Sequence, residues 1–214
     1  MQRRLLPLVG LLALSGSQVD GLVGLLGGRA EAQANPRATF PGRRVGGGTR
    51  GECNSRLIVH LVPASSVFAP AASPLLGVLL GPAPEPHPLM VSFRPQGTSS
   101  SRTRRQLPAA PAGVLLLSLP PLDGPTVWES TYRCAEAPPA DADPLQVVSA
   151  SSPPALSLLV KQPTPQDAPI LQGLQSLRKH CGGTVSRAEV GSAFGLTELL
   201  KDGWPDQLPV SCPS

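Results

Sequence analysis

The amino-acid sequence predicts a mainly β fold: an antiparallel β-sandwich of immunoglobulin-like type with a short C-terminal helical extension. Three observations predict it. Short segments alternate apolar and polar residues with period two. Proline and glycine, 27 and 22 of 214 residues, punctuate the chain between them. Spacing suited to helices begins only after Pro165.

Taken in order, residues 33–52 read as an irregular Gly/Arg-rich segment. A first strand over Arg56–Val62 points Leu57, Val59 and Leu61 one way and Arg56, Ile58 and His60 the other, and Pro63 stops it. Leu75–Leu80 is a short apolar run, followed by a loop with prolines at 82, 84, 86 and 88. Leu89, Val91 and Phe93 alternate with Met90, Ser92 and Arg94 in a second strand. Gln96–Gln106 is polar and reads as a hairpin tip or loop. Val114–Leu119 has strand length, and Asp123-Gly124 supplies a turn. Val127–Cys134 alternates again, with Trp128, Ser130, Tyr132 and Cys134 on one face. Leu145–Val148 and Ala155–Val160 complete six expected strands. Asp167 is placed to cap a helix with Ile170, Leu171, Leu174, Leu177 and Cys181 on one stripe. Ser186 and Glu189 form a capping box for a second helix, and Leu196, Leu199 and Leu200 belong to a third turn. The expected boundaries are therefore 1–32 signal peptide, 33–52 irregular segment, 53–162 β-sandwich domain and 163–214 helical tail.

The amino terminus predicts the compartment. Arg3 and Arg4 precede an apolar stretch, Leu5–Leu14, and a second apolar patch, Gly21–Leu26. Ala30-Glu31-Ala32 and Ala32-Gln33-Ala34 then offer small-x-small cleavage sites, so the mature chain is expected to begin at Gln33 or Asn35. Ser15–Asp20 breaks the run short of the roughly 20 residues a membrane span needs. The expectation is a periplasmic or extracellular protein with no membrane span after processing.

Composition narrows the core. Aromatic residues are 3% of the chain, so Leu, Val, Ile and Ala must fill the interior, and a hydrophobic fraction of 41% suffices. Charge is unevenly spread: residues 33–105 carry nine arginines against two glutamates, while residues 106–214 carry six basic groups against ten acidic ones. Such asymmetry suits either a polyanion-binding face or two halves that attract one another.

Gly46-x-Gly48-x-x-Gly51 has the letters of a dinucleotide fingerprint, but a strand follows it where the mechanism requires a helix N-terminus. Arg43, Arg44 and Arg50 beside these glycines, and Arg102, Arg104 and Arg105 in the polar segment, are the candidate anion-binding residues. The plainer role is a structural loop in which the arginines cap carbonyls. No nucleophile elbow is present, since Ser192 in Gly191–Gly195 lies one place early. The three histidines, 60, 87 and 180, have no paired spacing for a metal. No catalytic residue, metal or cofactor is therefore expected. Nucleic acid is excluded because the basic segment lacks interleaved aromatics.

The run Pro41-Gly42-Arg43-Arg44-Val45-Gly46-Gly47-Gly48-Thr49-Arg50-Gly51-Glu52-Cys53, with the strand reaching Leu61-Val62-Pro63, resembles the opening of exported cyanobacterial proteins grouped as a domain of unknown function. Leu107-Pro108, Gly113 with Leu115–Pro120, and Trp128–Cys134 are similar too, and Phe194–Leu200 more faintly. Trp128-Glu129-Ser130 departs from the family's aromatic-rich pattern. The resemblance implies export and a sandwich, and brings no activity.

Four cysteines in an exported chain point to disulfides. Cys53 precedes the first strand and Cys134 ends the aromatic one, so Cys53–Cys134 ties the sheet together. Cys181–Cys212 tethers the tail. Crossed pairings would require the tail to dock closely on the sheet. The functional expectation is a non-catalytic envelope or extracellular interaction module whose partner is an envelope protein or an acidic glycan. The alternatives are polyanion binding through the Arg-rich loops and an envelope hydrolase with unidentified carboxylates.

Overall fold

The computed structural model describes residues 36–47, 56–70, 74–101, 103–119, 121–132 and 153–213. A single helical turn, α1 (Pro36–Thr39), leads into β1 (Val45–Gly47) and β2 (Leu57–His60). Then come β3 (Val67–Phe68), β4 (Leu75–Leu80), β5 (Leu89–Pro95), β6 (Thr103–Leu107), β7 (Gly113–Ser118), β8 (Thr126–Tyr132) and β9 (Ala155–Leu159). Helix α2 (Asp167–Arg178), β10 (Thr184–Ser186), α3 (Arg187–Phe194) and β11 (Gln207–Ser211) follow.

The strands form two sheets, ordered β1-β2-β4-β7-β11-β10 and β3-β9-β8-β5-β6. The fold is mainly β, a two-sheet sandwich with helices toward the C-terminus, as the sequence predicts. Two pairings depart from the antiparallel expectation: β3 with β9 and β11 with β7 run parallel. A parallel neighbour needs a long crossover, and for β11 the helical stretch supplies it. The tail thus contributes two strands, β11 and β10, to the first sheet.

Burial explains the two kinds of apolar pattern. Strands β4 and β7 carry unbroken apolar runs because both faces of the first sheet are covered there. Helix α2 packs on them with Ile170, Leu174 and Leu177, and a Cβ at Gly77 would meet Leu174 and Leu61. In the second sheet β5 and β8 alternate, since only one face looks into the core. Each large apolar side chain so enclosed contributes about 1.5–3 kcal/mol. A smaller cluster, Val67, Ala69, Val127, Leu158 and Val160, packs with Phe40 and Leu156.

The N-terminal segment crosses between the sheets. Strand β1 pairs with β2, yet Arg43 bridges Leu156 of β9, and the Gly47 amide donates to the Pro153 carbonyl. The approach is too close for any side chain: a Cβ on Gly46 would sit 2.2 Å from the Ala155 nitrogen, and Gly47 adopts φ of +75°. Farther along the same strand, Leu158 donates to the Ser66 carbonyl and Val160 to that of Phe68. Edge pairing of β9 is thereby shared between two separate segments.

Several local expectations are corrected. Asp167 does not cap α2; Gln166 holds that position in helical geometry with no side-chain bond. The Asp167 side chain is instead fully buried and accepts from the amides of Ala69 and Thr164, the Thr164 hydroxyl and Arg37 Nη2 at 2.8 Å. Cys181 lies beyond the helix, in the turn that follows it. Residues 103–107 form an edge strand and not a loop, polar because it is hydrogen-bonded on one side only. The Ser186 cap is present, its hydroxyl accepting from the Glu189 amide at 3.1 Å. The expected strand Leu145–Val148 lies outside the described residues. Cys181 and Cys212 form a disulfide, their Cα atoms 5.7 Å apart and both residues exposed. Cys53 and Cys134 lie outside the described residues.

Candidate functional site

His60 on the inner face of β2, and Arg56 just before that strand, lie against the inner face of β8, which carries Trp128, Ser130 and Tyr132. His60 is completely buried. Its ring stacks on Trp128, centroids 3.5 Å apart and planes within 7°. Its Nδ1 lies 2.8 Å from Ser157 Oγ on β9, and its Nε2 lies 2.8 Å from Ser130 Oγ. A neutral imidazole satisfies both contacts, one ring nitrogen donating and the other accepting from a hydroxyl. Burial pushes the His60 pKa well below the ordinary histidine value, which keeps the ring neutral.

A histidine between two serines suggests nucleophilic chemistry, but the arrangement does not support it. Ser130 and Ser157 are fully buried, as is the ring, and no described carboxylate orients the imidazole. What the three side chains do is join β2 of one sheet to β8 and β9 of the other through polar contacts inside an apolar core. Trp128 contributes its ring face, while its buried Nε1 has no hydrogen-bond partner.

Arg56 is the second unusual group, at 2% exposure. Its Nε donates to the Gly81 carbonyl at 2.6 Å and its Nη2 to the Ala110 carbonyl at 2.7 Å. The guanidinium carbon lies 5.3 Å from the centre of the Tyr132 ring, within cation–π range. Tyr132 in turn donates its hydroxyl to the Leu57 carbonyl. Burial lowers the Arg56 pKa and raises that of Tyr132, and their mutual interaction opposes both shifts.

The arginines expected to bind anions fall into separate places. Arg43 donates to the Pro154 carbonyl through Nε and Nη2. Arg44 donates to the carbonyls of Val62, Phe194 and Gly195, closing the C-terminus of α3, with its pKa lowered by burial. Arg104 is exposed on β6 and Arg105 half-buried there. Strand β6 and the Arg43 bridge lie on opposite sides of the same sheet, with β9, β8 and β5 between them. Three inter-strand steps from β9 to β6 amount to about 14 Å, so the two groups form no single patch. Arg50 and Arg102 lie outside the described residues.

Away from the helices, the outward side of β5, β6 and β8 is polar. Ser92 lies between Glu129 and Arg104 in register, and Met90 lies between Thr131 and Gln106. Arg94, on the same face of β5, reaches the Thr98 carbonyl at the hairpin end.

Sequence reasoning passed over Arg56, His60 and Arg37 as functional groups. For Arg56 and His60 the available signal was a cation and an imidazole on one face of an otherwise apolar strand. No family model matches this chain, and no curated protein or solved structure compared with it matches either.

Proposed function

We propose that the chain is an exported, non-catalytic interaction module that binds an acidic glycan across the outer face of the β5–β6 hairpin. The observation that carries this reading is the row Glu129–Ser92–Arg104, extended by Gln106 and Thr131, on an edge of the second sheet. Hydroxyl, amide and guanidinium groups in this row match the hydroxyls and carboxylates of a uronate polysaccharide, and the Glu129 carboxylate can accept only from the sugar hydroxyls. The one His–Ser cluster among the described residues is sealed inside the core, which supports a role without turnover. Export rests on the N-terminal signal pattern, and the Arg/Gly/Cys opening that resembles an exported cyanobacterial family agrees with it.

Retention on immobilised alginate tests the reading. Binding should weaken with added salt, because exposed charges are screened beyond about 8–10 Å at physiological ionic strength. The double variant Arg94→Ser, Arg104→Ser should elute markedly earlier. Unchanged retention of that variant, or no retention of the native chain at low salt, overturns the proposal.

A further inference from the structure

At the Arg56 end of the sandwich lies a groove of about 530 Å³, lined by Leu107, Ala110, Leu115, Val210 and the Cys181–Cys212 disulfide among others, with no charged side chain in its wall. Its size is that of a small-molecule site. Directly behind the wall stands a cation. Arg56 Nη2 holds the carbonyl of Ala110, and Nη1 is buried with no hydrogen-bond partner. No described carboxylate pairs with Arg56. Tyr132 offers its ring face only, since its hydroxyl is directed to Leu57. A buried guanidinium with an orphaned donor and no counter-charge is costly. An anion that reached Nη1 would remove that cost.

We infer that this groove is a binding site for one amphipathic carboxylate, with the apolar tail along Leu107, Leu115 and Val210 and the carboxylate on Arg56. Entry beside Ala110 shifts that carbonyl and offers both Nη atoms a bidentate acceptor, the geometry in which guanidinium binds carboxylate best. Ala110 is half-buried in a stretch without regular structure, so little has to give way. The disulfide forms part of the groove wall, which ties the site to the oxidised chain.

Decanoate and 1-decanol, titrated separately into the oxidised full chain at pH 8 below their aggregation limits, test the inference. Native mass spectrometry reads stoichiometry and calorimetry reads affinity. One decanoate per chain is expected, bound roughly tenfold or more tighter than the alcohol, the margin of a charge-assisted hydrogen bond. Arg56→Met should erase that preference while leaving decanol binding in place, a change that general loss of structure would not produce. Ala110→Phe should block both ligands and serves if the methionine variant fails to fold. Equal affinity for acid and alcohol overturns the inference, as does binding of neither, which would leave a buried water as the Nη1 partner. Binding of an apolar peptide through its free C-terminus in place of decanoate overturns it too.

Discussion

The imidazole of His60 lies flat on the indole of Trp128, and the contact spans the two sheets from β2 to β8. The serines at the ring's edges, Ser130 and Ser157, belong to adjacent strands of the opposing sheet and face it together. A pH effect follows directly. In the unfolded chain this histidine titrates near 6.5, whereas in the core its pKa is held well below that value. Folding therefore opposes proton uptake, and stability is lost as pH falls below about 6.5. The loss is about 1.4 kcal/mol per unit until the folded-state pKa is reached. Urea midpoints measured from pH 7.5 to 5 should decline more steeply in the native chain than in His60→Gln, which keeps polar contacts but does not titrate. Parallel declines would show that His60 does not control this range.

Asp167 supports a second long-range link, joining the N-terminal segment at Arg37 to β3 and the start of α2. Asp167→Ala removes the acceptor shared by the Ala69 and Thr164 amides and the Thr164 hydroxyl, while Arg37 keeps its bonds to the Val67 and Gln162 carbonyls. A destabilisation of about 2–4 kcal/mol is expected, chiefly from the two amides left without an acceptor. Urea unfolding at pH 7 checks it, and a loss under about 1 kcal/mol would show that the pair is replaced by water.

Gly46→Ala places a methyl against the backbone of Ala155, where neither partner is a flexible side-chain tip. The expected cost is at the upper end of the 1–3 kcal/mol typical of overpacking. Gly124→Ala, which meets nothing within 4 Å, is the control and should stay within about 0.5 kcal/mol of the native chain. Thermal melts of the two variants separate these outcomes.

For the cysteines, non-reducing peptide mapping should recover Cys181–Cys212, which closes a separation of 31 residues. In the chain-entropy model that link is worth about 3.7 kcal/mol before any native strain. The same map is expected to show Cys53–Cys134. Arg56 and Tyr132, three and two residues from those cysteines, are already in contact. A Cys53–Cys181 or Cys53–Cys212 peptide would contradict this pairing.

Much of the interior was legible one face at a time. Period-two alternation separates Arg56, Ile58 and His60 from their neighbours, and likewise groups Trp128, Ser130 and Tyr132. It does not say that the two sets face each other, because the alignment of one sheet on another is decided by packing across both. The shortest strands left no trace for the same kind of reason. Two residues at β3 and three at β1 or β10 show no period, and their existence depends on the neighbour they pair with. Strand β6 was hidden by its own polarity, since an edge strand need not repeat the apolar alternation of an interior one. The capping role of Arg43 and Arg44 was visible as one of two readings. Choosing between them required the positions of Pro154, Phe194 and Gly195, far along the chain.

The bridge between Arg43 and β9 also sets an order of events during synthesis. Arg43 leaves the ribosome early, but the Pro154 carbonyl it holds comes 111 residues later. Contacts of such separation slow folding, because the intervening chain must be ordered before they form. Until β9 is made, β8 lacks its neighbour on that side and keeps an open, adhesive edge. A chain truncated after β8 should therefore self-associate, and the interval between making β8 and making β9 is when a nascent chain most needs shielding from its own kind.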